Sequence, residues 1–166
     1  MPIEFLDLLD GGGWEPLSPD PASTGATWSE GGTLAEAPVD VAATFEGSAW
    51  RATGIDDSFG LTGVRLAPEL RVPLHHHGRA LLIIVIGGSL TVDGAEDGEG
   101  DEGVEADRAS LEPGRFCVIE EGTPHSLTAG PQGAVFLTSW PQETEEPTTC
   151  WYPDPAWVRA EGRATA

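Results

Sequence analysis

The chain has 166 residues with 39% hydrophobic content, 22 glycines and 14 prolines, which favours one domain of many short strands over a helical bundle. Its 28 acidic and 8 basic residues give a formal charge of −20, and every basic residue is an arginine. Such a surface repels phosphate groups, so nucleic acids and anionic membranes are excluded as partners.

The N-terminus and the cysteines bear on the compartment. The first ten residues contain Glu4 and Asp7 and no basic residue, unlike a secretory signal, and no apolar run reaches the roughly 18 residues that a membrane helix needs. Cys117 and Cys150 lack the spacing of a metal site, and Cys117 is expected in the core. A cytoplasmic protein is therefore expected.

Residues 1–38 are predicted to form a largely irregular arm, because glycines and prolines interrupt them repeatedly. One short helix is expected over Ile3–Leu9, ended by the glycines that follow. A β-barrel is predicted over residues 39–152. The tail, residues 153–166, is expected to hold a short helix with Asp154 as its N-cap.

From Val39 onward, short apolar runs alternate with turns at a spacing of about ten residues, as in a β-sandwich or small barrel. The run Leu81–Ile86 is apolar on both faces, so its second face needs cover from another sheet, the arm or another subunit. A homodimer is expected on this ground. The predicted strands are Val41–Glu46, Phe59–Ala67, Val72–His77, Leu81–Ile86, Ser89–Asp93, Val104–Leu111, Arg115–Ile119, Ser126–Ala129 and Ala134–Trp140.

Three consecutive histidines precede that apolar run, and the one other histidine of the chain is His125. Successive side chains of a strand point to opposite faces, so His75 and His77 share a face while His76 points away. Their Cα atoms would lie roughly 6.6 Å apart, and both imidazoles would then reach one metal at about 2.1 Å. His125, from a distant strand, would complete a set of three nitrogen ligands. A β-bulge at this strand end would change which histidines share a face.

The first histidine segment resembles the first sequence motif of the cupin superfamily, whose members are double-stranded β-helix or jelly-roll barrels. That motif has two histidines as H-x-H, a glutamate four residues later and a glycine seven residues beyond the glutamate. Here His75, His77 and Gly88 match, and Leu81 stands at the glutamate position.

The second segment resembles the second cupin motif, which begins with glycine, reaches Pro-x-Gly six residues later and places a histidine three residues after that glycine. Here Gly114, Gly122 and His125 match, and Glu120 stands in place of the proline. The resemblance extends over residues 63–140. It implies an all-β, jelly-roll (cupin) fold and a metal ion held by three histidines.

The glutamate's replacement by Leu81 reduces the implied ligand set to three neutral imidazoles, because leucine cannot bind a metal. Such a set leaves about three positions open on an octahedral ion, and it is similar to that of cupin dioxygenases that use three histidines. Fe(II) is the favoured cofactor, and zinc, manganese, nickel and copper are also compatible with imidazole ligands. An anionic, bidentate substrate such as a diketone enolate or a hydroxyketone would suit this site.

The resulting interpretation is a non-haem Fe(II) dioxygenase that acts on a small organic substrate. Two alternatives stay open: a metal-dependent isomerase or lyase, and a non-enzymatic metal- or ligand-binding sensor resembling the cupin half of zinc-bound anti-sigma factors. The absence of a predicted helical partner-binding domain favours the enzyme. A small pocket is expected beside the metal, lined by Arg79, Leu82, Ile84, Phe116, Val118 and Phe136.

Overall fold

The structure, a computed structural model, describes residues 8–9, 13–22, 34–52, 60–94, 108–140 and 148–152. Within these ranges the regular elements are nine strands and one helix, and all strand pairings are antiparallel. The elements are β1 (Trp14–Pro16), α1 (Val39–Phe45), β2 (Ala49–Ala52), β3 (Leu61–Leu66), β4 (Arg71–His77), β5 (Leu81–Gly94), β6 (Arg108–Leu111), β7 (Phe116–Ile119), β8 (His125–Ser139) and β9 (Thr149–Trp151).

The two long strands β5 and β8 form the centre of the sheet and pair along almost their whole length, from Leu82 opposite Ser139 to Gly94 opposite His125. At one end they are flanked by β7 and by β3, which continues to β2 and β1. At the other end they are flanked by β6 and by β4, which continues to β9. The predicted all-β jelly roll is confirmed by this topology.

A bend in the two long strands connects these halves. The pairing shifts register between Val85 and Gly87 and again between Gly88 and Leu90. Gly88 has a φ of +66°, and a Cβ atom placed on it would lie 2.1 Å from the carbonyl oxygen of Gly133. Only glycine fits this crossing of two backbones, because it has no Cβ and adopts positive φ readily.

The core lies between the inner faces of the two halves. Along β5 every second side chain is buried, with Leu81, Ile83 and Val85 inside and the residues between them half-buried. Phe136, 1% exposed, lies opposite Val85 on one side and opposite a β3 residue on the other. This alternation of buried and half-buried positions is the period of a strand with one inner face.

Residues 41–46 were predicted as a strand, and the prediction was wrong: they belong largely to helix α1. Ala37, Val41 and Phe45 are spaced by four residues and are all buried, which is the spacing of one helix face. The helix begins directly after Pro38, where the fixed φ of proline suits a helix start. The apolar run was too short for its period to separate a strand from a helix.

The predicted bounds of several other strands differ from those in the structure. The separate predicted strands 81–86 and 89–93 are one strand, β5, and 126–129 and 134–140 are largely one strand, β8, because the chain bends at these points without breaking the sheet. The strands β1, β2 and β9 were not predicted. Of the predicted N-terminal helix only Leu8 and Leu9 are described, in a turn, and the predicted helix at Asp154 lies outside the described residues. No described helix is long and apolar enough to cross a membrane.

Candidate metal centre

A bulge in β4 sets the orientation of the histidines. Val72 lies opposite Leu127 and His75 opposite His125, so β4 has one residue more than β8 between these two pairs. Val72 and Pro73 are consecutive and both buried, which shows the interrupted alternation. Proline lacks an N–H group and so cannot donate a hydrogen bond to the neighbouring strand. It is tolerated at a bulge because the ladder of hydrogen bonds is already interrupted there. Beyond the bulge, His75 faces inward.

The turn between β7 and β8 brings His125 to the same place. The amide of Gly122 donates a 2.9 Å hydrogen bond to the carbonyl of His77, which ties the turn to the end of β4. Gly122 has a φ of +73°, a conformation that glycine adopts without strain. As a result β8 begins at His125, directly opposite His75.

The structure brings His75, His77 and His125 together, with ligand atoms that all lie within 4.8 Å of one another. The ring centroids are 4.9 Å apart for His75 and His77, 4.3 Å for His75 and His125, and 5.3 Å for His77 and His125. His75 and His125 are 3% and 1% exposed, and His77 is half-buried. The three predicted ligand residues therefore form one cluster at the edge of the core.

Hydrogen bonds fix which nitrogen of each buried ring carries the proton. The Nδ1 of His75 lies 2.6 Å from the carbonyl of Pro73, and the Nδ1 of His125 lies 2.8 Å from the carbonyl of Thr123. A carbonyl only accepts, so both Nδ1 atoms are donors and the Nε2 atoms of the neutral rings keep a free electron pair. The Nε2 of His125 is buried with no hydrogen-bond partner among the described residues. A bound metal ion would satisfy such an atom.

Burial keeps all three rings neutral. Desolvation, followed by repulsion from His125, lowers the pKa of His75 well below its usual value and lowers the pKa of His77 to about 3. Desolvation also lowers the pKa of His125. Neutral imidazole is the form that binds a metal, so the cluster is in its ligand form at neutral pH.

Two tryptophans enclose the cluster, and sequence reasoning missed both. The ring of Trp151 lies 5.1 Å from the ring of His75, and the ring of Trp140 meets that of His77 edge-on at 4.8 Å. Both indoles are buried, at 5% and 8% exposure. Trp140 is the last residue of a predicted strand, and this position could have indicated that it lies near the site. No local pattern indicated the position of Trp151, since its strand is only three residues long.

The cluster has no carboxylate within the described part of the chain. Leu81, at the position of the motif's glutamate, is 3% exposed and belongs to the hydrophobic core. Glu120 and Glu121 are both exposed. Within the residues that the structure describes, the ligand set is therefore uncharged.

Four of the six predicted pocket residues, Leu82, Ile84, Phe116 and Val118, do not lie on the inner face of the sheet. Phe116 and Val118 are 66% and 61% exposed, and they lie opposite Ile84 and Leu82 on the outer face of the sheet. The alternation of β5 turns Leu81, Ile83 and Val85 inward and turns Leu82 and Ile84 outward. The sequence could not show which of these two sets faces inward, because the run is apolar at every position.

The remaining predicted residues also have defined positions. Phe136 belongs to the core. Arg79 is half-buried in the connection between β4 and β5. His76 points away from the cluster, and its Nδ1 lies 2.9 Å from the hydroxyl oxygen of Tyr152.

No protein-family profile and no curated protein matches the sequence. Similar solved structures include a deletion mutant of oxalate decarboxylase from Bacillus subtilis, 25% identical over 71% of this chain and 32% of that chain, with a TM-score of 0.49. The DMSP lyase DddQ of Ruegeria pomeroyi is 16% identical over 63% of this chain and 43% of that chain, with a TM-score of 0.44. CENP-C of Drosophila melanogaster bound to CAL1 is 18% identical over 55% and 71%, with a TM-score of 0.43.

The match thus spans about a third of the decarboxylase chain and less than half of the lyase chain. The antiparallel strand topology itself has the arrangement of a jelly roll. The structure has both features that the resemblance to the cupin superfamily implies, an antiparallel jelly roll and a cluster of three histidines.

Proposed function

We propose that His75, His77 and His125 hold one divalent metal ion, with Fe(II) favoured, and that the protein is a dioxygenase acting on a small organic substrate. The observation that carries the proposal is the buried Nε2 of His125, which has no hydrogen-bond partner among the described residues and lies beside two more neutral imidazoles. A buried polar atom without a partner costs about 1–3 kcal/mol. Coordination of a metal removes that cost.

The charge of the ligand set supports an anionic substrate. Three neutral imidazoles leave the full charge of a divalent ion uncompensated, and the described part of the chain places no carboxylate in the cluster. A bidentate anion, such as the enolate of a diketone or a deprotonated hydroxyketone, would balance that charge. When bound, the ion would supply Lewis acidity and open positions at which substrate and oxygen meet.

The residues of the chain itself orient and shield this site. The carbonyls of Pro73 and Thr123 hold two of the imidazole rings through Nδ1, so that each Nε2 points to the shared site. The buried indoles of Trp140 and Trp151 cover the rings and exclude water from this side. Fixed ligands and a dry wall are what metal-assisted chemistry on a small substrate requires.

Metal analysis of the purified protein tests the site. We expect about one iron per chain by plasma mass spectrometry in wild type and near-complete loss in His125→Ala. His76→Ala is the matched control, since His76 is the neighbouring histidine that bonds to Tyr152 outside the cluster, and it should keep its metal. Full metal content in His125→Ala would remove this residue from the ligand set.

The reaction is tested separately with an oxygen electrode. The iron-loaded protein is expected to consume oxygen when a β-diketone or hydroxyketone is added, and His125→Ala is expected not to. Substrate turnover without oxygen uptake would instead indicate an isomerase or lyase. Metal binding without turnover of any compound would favour a metal-binding sensor.

A further inference from the structure

Strand β9 is paired along its whole length with the three consecutive histidines of β4. Trp151 lies opposite His75, Cys150 opposite His76, and Thr149 opposite His77. Since alternate residues share a face, Thr149 and Trp151 both lie on the side of the two clustered histidines. A three-residue strand that sequence reasoning did not detect thus forms one wall of the site.

His77 differs from the other two clustered histidines in how its ring is held. The Nδ1 atoms of His75 and His125 bond to backbone carbonyls two residues earlier in their own segments. The Nδ1 of His77 lies instead 3.0 Å from the Oγ1 of Thr149, which is 72 residues away in sequence. His77 is also the least buried of the three. Beside its ring contact with Trp140, the His77 ring is therefore held by a hydrogen bond to a hydroxyl group on a separate strand.

We propose that Thr149 is a positioning residue for metal binding: its hydroxyl oxygen accepts the proton of His77 Nδ1, which leaves the electron pair on His77 Nε2 for the ion. This inference depends on the proposed metal site. A hydroxyl can also donate, and donation to Nδ1 would place the imidazole proton on Nε2 and block coordination. Side chains that orient a ligand histidine in this way typically contribute 10- to 100-fold to metal affinity.

The same contact couples the metal to the fold. If Thr149 holds the ring of His77, an ion that fixes this ring also fixes β9 against β4. The backbone supports that placement, because Tyr152 donates a 3.1 Å hydrogen bond to the carbonyl of Leu74 at the end of the same strand pair. Metal loading should therefore slow amide hydrogen exchange in β9.

The test uses cobalt(II), whose visible absorption reports its ligands directly, and titrates it into full-length metal-free protein in competition with a chelator. Thr149→Val, which keeps the shape and removes the hydroxyl, should raise the Kd about 10- to 100-fold. Thr149→Ser, which keeps the hydroxyl, should restore the Kd to within a few-fold of wild type. Thr138→Val is the matched control, because Thr138 donates its hydroxyl proton to Thr62 on β3, outside the cluster; it should bind like wild type.

The outcomes separate the two proposals. Failure of wild type to bind cobalt would overturn the metal site and this inference with it. Tight binding by wild type together with an unchanged Kd in Thr149→Val would overturn the role of Thr149 alone and leave the metal site standing. Should the valine variant not fold, nitrogen NMR of wild-type metal-free protein decides the question. A proton on His77 Nδ1 supports the inference, and a proton on Nε2 contradicts it.

Discussion

Each histidine of the cluster resists protonation, and this resistance links the stability of the metal-free protein to pH. Burial lowers the pKa of His77 to about 3 and also lowers the pKa values of His75 and His125, whereas an exposed histidine in the unfolded chain titrates near 6.5. Below that pH the unfolded chain binds more protons than the folded one. Acidification therefore favours unfolding.

We predict that the free energy of unfolding of the metal-free protein is constant near neutral pH and falls as the pH drops from about 6.5 towards about 3. Each histidine that stays neutral contributes a slope of up to about 1.4 kcal/mol per pH unit. Urea unfolding at several pH values measures the slope, and His77→Asn should make it shallower. An equally steep slope in that variant would mean that His77 titrates normally in the folded protein.

The three clustered histidines could be predicted from the sequence because the chain has only four histidines and three of them stand at the spacings of the cupin motifs. Their partners could not. Thr149 and His77 are 72 residues apart in sequence. The alternation of apolar and polar residues within a segment does not show which other segment will pair with β4. A bulge near this strand end could be anticipated, but its effect on register depends on the facing strand β8.

At the scale of elements, the bend of β5 and β8 is the feature on which the two halves of the sheet depend. Gly88 and Gly114 both have positive φ, +66° and +86°, but their surroundings differ. A Cβ on Gly88 would meet the backbone of Gly133, whereas a Cβ on Gly114 would meet no atom within 4 Å. Alanine substitutions at these two glycines therefore distinguish the cost of backbone strain from the cost of a steric collision with the backbone.

We predict that Gly114→Ala costs about 1–2 kcal/mol through left-handed backbone strain alone. Gly88→Ala should cost about 1–3 kcal/mol more, because the collision adds to the same strain. Chemical denaturation of the two variants measures both values. Equal losses would mean that the crossing at Gly133 relaxes without cost.

The positions of the long strands were predictable, whereas their continuity and several of the shortest strands were not. The apolar runs of β5 and β8 indicated strands but divided each of them in two, and the jelly-roll fold followed from the resemblance of residues 63–140 to the cupin motifs. Strands of three or four residues, such as β1, β2 and β9, contain too few positions for a period to be visible. Helix α1 was mistaken for a strand for the same reason, since Val39–Phe45 is only seven residues long.

For the whole molecule, the outer face of β7 and β5 is the surface on which association is expected. Phe116 and Val118 are exposed there beside half-buried Leu82 and Ile84, and none of the four is charged. Two chains that each carry a formal charge of −20 repel each other at most contacts. An uncharged patch that meets its own copy across a twofold axis avoids this repulsion.

The homodimer remains a prediction, and sedimentation velocity at tens of micromolar tests it. Wild type is expected to be dimeric, and Val118→Glu is expected to be monomeric because two added carboxylates would face each other. Val39→Glu is the matched control, since Val39 is equally exposed, at 62%, but lies on α1; it should stay dimeric. A monomeric wild type would contradict the prediction, as would a dimer unaffected by Val118→Glu.

The extra residue at the Pro73 bulge makes β4 tolerant of a deletion before the histidines and intolerant of an insertion among them. Because β4 has one residue more than β8 between Val72 and His75, deletion of one residue there would leave a regular ladder with His75 still opposite His125. Side chains of a strand alternate, so one residue inserted between His75 and His77 would instead place these two rings on opposite faces. Such an insertion should therefore abolish the site, whereas the deletion at the bulge should keep it.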